Sequence, residues 1–209
     1  MNKELKLQFE NELKEHLTIE LSSYKNISVL KNEIKIKKTK DNNAHGSIVF
    51  DYLVNARGYV LTMSAMAPEF DLFVNEVSPP YGSNILSEYT LAMSSSGEKT
   101  KSFSYLVGGA IPFPQNTEKF KETISWISEK VTSIYLPRVF HLLNFDSLLI
   151  SDVLDNPQDY SYPFLLILYV LKKNNLDFST VDENILFSKK ISKNSSFDKS
   201  TYMQYINPS

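Results

Sequence analysis

A chain of 209 residues with 42% hydrophobic and 12% aromatic content is long enough to bury a core without covalent staples. It contains no cysteine, which excludes a disulfide framework, a thiolate metal centre and a cysteine nucleophile together. Net charge is only −2, and Arg57 and Arg138 are the two arginines among 22 basic residues; the bidentate fork that reads phosphates and base edges is scarce, so direct nucleic-acid binding is not expected.

The charge is unevenly laid out. Residues 1–40 carry nine Lys against six Glu, whereas 41–99 and 146–187 each carry seven acids against two bases. The first ten residues lack the apolar core and small-residue cleavage site of a secretion signal. The most apolar run, 164–171, is eight residues long, where a membrane span needs roughly 20. A cytoplasmic protein with no membrane segment is the expectation.

In chain order, Leu5, Phe9, Leu13, Leu17 and Leu21 recur at four-residue steps between Glu and Lys, so residues 2–23 are expected as an amphipathic helix lying across a sheet. Ile27, Val29, Ile34 and Ile36, with lysines alternating, predict one or two edge strands. The 46–77 stretch alternates apolar and polar residues and predicts a three-stranded meander, its third strand over 70–77. A turn at 56–58 gives an odd register that puts Ile48, Phe50, Tyr52 and Val54 on one face with Tyr59, Leu61, Met63 and Ala65. The prolines of 78–83 predict a rigid loop. Ile85, Tyr89, Leu91 and Met93, then Phe103, Tyr105 and Val107, predict a second hairpin, and 108–114 ends the sheet.

Helical spacing follows. Phe120, Ile124, Ile127, Val131 and Ile134 predict a helix capped at Asn116 or Thr117 and stopped by Pro137. Short helices are expected at 138–144 and 146–154, a buried one at 163–173 opened by Pro163, and one near 180–186. From 188 the Ser, Lys and Asn content predicts a mobile polar tail apart from Tyr202, Met203, Tyr205 and Ile206. The sum is a single α+β domain over 1–187, followed by the tail at 188–209. It has a five- to six-stranded antiparallel sheet at about 27–107, an N-terminal helix and a C-terminal group of helices at 117–187.

His16, His45 and His141 have no i, i+4 partner among them, so no metal site is expected. Gly108-Gly109 lacks the context of a phosphate-cradling loop, and no cofactor or catalytic residue is assigned. The acids Asp51, Glu69, Asp71, Glu76 and Glu88, all in the expected meander and its loops, form a patch with little counter-charge that suits a basic protein partner. Tyr81 and Phe113, in the proline-bearing loops, are the aromatic anchors such an interface would use. An alternative is a small-ligand or carboxylate-enzyme domain, with Asp51 and Asp71 paired or a pocket between the sheet and the C-terminal helices. A homo-oligomer burying helix 163–173 is a third possibility.

From Leu5 to about Leu186 the order of elements resembles immunity-type proteins encoded beside bacterial polymorphic or contact-dependent toxins. Those are commonly cytoplasmic, cysteine-poor α+β domains with an N-terminal helix, an antiparallel meander and C-terminal helices, many of them acidic against a basic toxin. The resemblance implies a non-enzymatic bacterial protein that neutralises a partner toxin by binding it. It transfers no functional residue, because layout alone carries it.

Overall fold

The computed structural model describes residues 3–37, 43–85, 88–95 and 110–206. Its strands are β1 (Ile27–Val29), β2 (Glu33–Lys37), β3 (His45–Leu53), β4 (Gly58–Met66), β5 (Leu91–Ser94) and β6 (Ile111–Pro112). Its helices are α1 (Lys3–Glu20), α2 (Pro68–Val77), α3 (Phe120–Lys130), α4 (Leu136–Asn144), α5 (Leu148–Asp155), α6 (Pro163–Lys173), α7 (Glu183–Leu186) and α8 (Ser195–Ile206). The strands make one open antiparallel sheet in the order β1-β2-β3-β4-β5, with β6 also paired to β4, and the fold is α+β as expected. The described residues group into two compact units. The first draws on Met1–Asp41, His45–Ser64 and Met93–Pro137, the second on Asn42–Ala44, Ala65–Ala92 and Arg138–Ser209.

In the first unit, the four-residue stripe of α1 is the buried stripe: Phe9, Leu13, Leu17 and Leu21 are all at most 3% exposed. The Phe9 ring stands edge-on to Phe120 of α3 at 5.2 Å and to Phe113 at 5.5 Å, and lies 5.6 Å from Tyr59 of β4. Such ring pairs add about 1 kcal/mol each beyond the area they bury. Ile27 faces Ile36 and Val29 faces Ile34 across β1 and β2, and Ile34 in turn faces Ile48 of β3. Ile48, Phe50, Tyr59, Leu61 and Met63 are buried together, Tyr52 packs its ring 5.2 Å from Tyr59, and the hydroxyls of Ser47 and Ser64 lie 3.2 Å apart. Val54 departs from the expected face: it falls in the turn and is 75% exposed. Arg57 closes that turn at φ 48°. A Cβ on Gly58 would sit 2.3 Å from the Ile111 carbonyl oxygen, so only glycine lets β6 come this close to β4.

Asn116 is the expected cap: its Oδ1 accepts the Lys119 N–H at 3.2 Å, opening the 3-10 turn Thr117–Lys119 that leads into α3. Pro137, expected to stop the helix, does not. A wide π turn over Val131–Tyr135 precedes α4, and Pro137 is the second residue of α4. In a regular α-helix the proline ring would meet the carbonyl four residues back; here that residue, Ser133, belongs to the widened turn. The Phe103, Tyr105 and Val107 half of the expected second hairpin, and Gly108-Gly109, lie outside the described residues; Leu91 and Met93 do fall in a strand, β5.

In the second unit, α6 is the centre. Its residues Phe164 to Leu168, Val170 and Leu171 are all at most 1% exposed, as the all-apolar sequence predicts, with Tyr169 the one that reaches outward. The third strand expected at 70–77 is instead α2. Alternation of Phe70, Leu72 and Val74 fits a strand, but Phe70, Phe73 and Val74 also fit a helix. Pro68 at the first turn, which withholds a ladder donor, decides for the helix. The expected polar tail is also corrected: Ser195–Ile206 is α8, with Asp198 fully buried and Thr201 and Tyr202 buried beside it. Asn194 caps it, accepting the Phe197 N–H at 3.2 Å.

Candidate partner-binding face

Helix α2 begins with Pro68, carries Glu69 and Asp71 in its first turn where the helix dipole favours acids, and ends at Ser78 in the left-handed region, φ 49°. Phe70, Phe73 and Val74 turn inward, and the Phe70 and Phe73 rings lie 5.8 and 5.1 Å from Tyr169 of α6. At 100° per residue, Asp71, Leu72, Asn75 and Glu76 share the opposite face. Asn75 and Glu76 are exposed, Asp71 is half-buried, and Leu72 at the centre is 71% exposed. The helix contains no basic residue.

One of its three acids is already matched. Glu69 accepts hydrogen bonds from the Tyr169 hydroxyl and the Lys173 ammonium of α6, and the same ammonium lies 4.7 Å from the Phe145 ring. Lys172 is turned to rings instead, 4.6 Å from Tyr205 and 5.9 Å from Phe73. Asp71 and Glu76 carry no ion pair among the described residues. Burial pushes the Asp71 carboxyl above the usual aspartate range, so it gives up its charge earlier on acidification than an ordinary surface aspartate. Burial, reinforced by the Glu76 charge, raises the Tyr205 phenol.

The structure thus brings Glu69, Asp71 and Glu76 together on one helix, Glu69 neutralised. Asp51 is exposed on β3 in the first unit and Glu88 is exposed in the second. Asp51 and Asp71, considered as a catalytic pair, belong to different units. The two aromatic anchors already have partners within the chain. Phe113 is 7% exposed, packed between Phe9 and Tyr52, and the half-buried Tyr81 donates its hydroxyl to Asp198 at 2.6 Å. Leu72 was missed because a strand reading of 70–77 pairs it with the buried residues; the signal that could have found it was Pro68, which starts a helix and puts position 72 outside.

Several buried polar groups elsewhere are bonded within their own unit. The Asp198 carboxylate takes the Tyr81 hydroxyl and, at 2.7 Å, the Ser192 hydroxyl, an arrangement that fixes α8 to the 78–83 loop. Arg138 of α4 reaches Asp152 of α5 with Nε at 2.8 Å and Asp159 with Nη1 at 3.0 Å, over the ring of buried Tyr160. His141 and Asp146 pair at 2.8 Å across the α4–α5 turn. In the first unit, Glu10 binds Lys6 and Lys31, each at 3.1 Å, and the Tyr59 hydroxyl; burial pushes its carboxyl up, but the lysine hydrogen bonds outweigh that and hold it below the usual glutamate range. A groove of about 470 Å³ in this unit runs between Pro112, Pro114 and Trp126. Among the described residues, no three His, Asp or Glu side chains gather to hold a metal ion. No helix there is long and apolar enough to cross a membrane.

No protein-family model matches the chain, and no curated protein or solved structure matches it.

Proposed function

We propose that the chain is a non-enzymatic binding protein whose outer α2 face receives a basic protein partner, in the manner of a bacterial immunity protein that neutralises a toxin by covering it. The observation that carries this is the face itself. An exposed leucine stands between two carboxylates that carry no ion pair among the described residues. The acids would steer a cationic partner in, and Leu72 would supply the contact that excludes water. A cytoplasmic setting and a toxin as the partner belong to the same proposal, through the resemblance of layout.

The test is capture of partners from lysate of the source organism at moderate salt, with wild-type protein and the D71K/E76K variant side by side. The proposal predicts a stoichiometric basic protein on the wild type and its loss from the variant. Equal retention by both, or a partner that is itself acidic, would remove the α2 face from the account. Asp51→Lys, on the other unit, serves as the charge control and should leave capture unchanged.

A further inference from the structure

The cluster around Arg138 holds more negative than positive charge in a place with little water. One guanidinium, its side chain 9% exposed, faces two carboxylates whose side chains are 12% and 14% exposed. Burying an ion is costly unless a partner compensates it, and one cation cannot fully compensate two anions. The relief open to such a site is a proton on one carboxyl.

The hydrogen bonds choose which one. Asp152 Oδ2 accepts from Arg138 Nε at 2.8 Å and from the Tyr160 hydroxyl, while its Oδ1 accepts from Asn156 Nδ2 at 2.9 Å. Asp152 thus has three donors on its two oxygens, one more than Asp159 has. Asp159 has the Arg138 Nη1 at 3.0 Å and a bond from the neighbouring Gln158. Among the described residues, the charged groups acting on it are Arg138 from α4 and Asp152 from α5, with the Tyr160 phenol next to it in the chain. Lys190 is spent elsewhere, on the Leu154 and Asp155 carbonyls that end α5.

We infer that Asp159 is a proton-uptake site built into the fold: its carboxyl takes a proton from solvent on acidification while it keeps its hydrogen bond from Arg138. The carbonyl oxygen of the neutral acid still accepts from Arg138 Nη1, so the tie from α4 to the 157–159 turn survives acidification that breaks ordinary ion pairs. In line with this, burial lifts the Asp159 carboxyl above the usual range; Arg138 offsets part of the effect and Asp152 adds to it. The sign follows from linkage. A carboxyl raised on folding binds more protons in the native state, so its contribution to stability grows as pH falls from the raised value towards the ordinary 3.8.

The experiment is a carbon-13 carboxyl titration of the full-length protein by NMR, with resonances assigned through D159N and D152N, joined to urea unfolding of wild type and D159N across the same pH range. The inference predicts a midpoint for Asp159 above 3.8. It also predicts a D159N protein at least as stable as wild type at neutral pH, with that advantage shrinking in acid. It is overturned by an Asp159 midpoint at or below 3.8, or by a D159N penalty greatest at neutral pH. If D159N fails to fold, D152N and difference spectra still assign the wild-type resonances, and the Asp159 midpoint against 3.8 decides.

Discussion

At the scale of single residues, exposure separates what holds the fold from what is free to bind. Leu72 is 71% exposed, so Leu72→Ala should shift unfolding stability by less than about 0.5 kcal/mol, a change read by urea denaturation. The same substitution should weaken partner binding by about 1–2 kcal/mol, roughly tenfold, if Leu72 is the buried centre of the interface. Phe9 is the opposite case. Fully buried against three aromatic rings, it should cost about 3–5 kcal/mol on truncation to Ala. Glu10 gives a pH signature: a carboxyl lowered on folding stabilises above its ordinary value of 4.5 and loses that contribution as pH falls through the lowered one. Glu10→Gln should therefore lower the unfolding midpoint at neutral pH and match wild type in acid; a constant gap at all pH would assign the loss to packing. Phe9 was legible in the sequence because its four-residue stripe admits one interpretation. Leu72 was not, because alternate spacing and helical spacing both fit Phe70 to Val74.

At the scale of elements, the errors at α8 and Pro137 share a cause: a local signal was overruled by a longer-range partner or by a change of helix type. Helix α8 reads as a polar tail since Ser195–Ile206 has few apolar residues. Its order rests on a buried carboxylate bonded to Tyr81, more than 100 positions earlier in the chain, which no local window contains. Replacing Asp198 with Ala should strand the Tyr81 and Ser192 hydroxyls and cost about 1–3 kcal/mol. Amide exchange should then rise first in α8 and the 78–83 loop. Pro137 reads as a stop because the π turn that admits it has no simple sequence mark. Conversely α1, α6 and the strands β1 to β4 were legible, since their periodicity runs through enough residues to fix both type and inner face.

At the scale of the whole molecule, the net charge of −2 says little, whereas its placement says more. Among the described residues, the acids of α2 divide into one paired with Lys173 and two without an ion pair, a distinction that composition cannot make. A complex steered by Asp71 and Glu76 should bind more slowly as salt rises, with dissociation much less affected. Because the Asp71 carboxyl is raised, affinity should also fall in acid at a higher pH than ordinary aspartates would give. The fold class was available from the order of the elements, because helix, strand and helix segments follow one another with distinct periodicities.

The claim that the outer face of α2 is where a partner lands is tested most directly by hydrogen–deuterium exchange on the captured complex against the free protein. The account predicts slowed exchange over 68–77, greatest around Leu72 and Asn75, with α1 unchanged. Protection confined to α1 or to β1 and β2, with 68–77 exchanging as in the free protein, would contradict it.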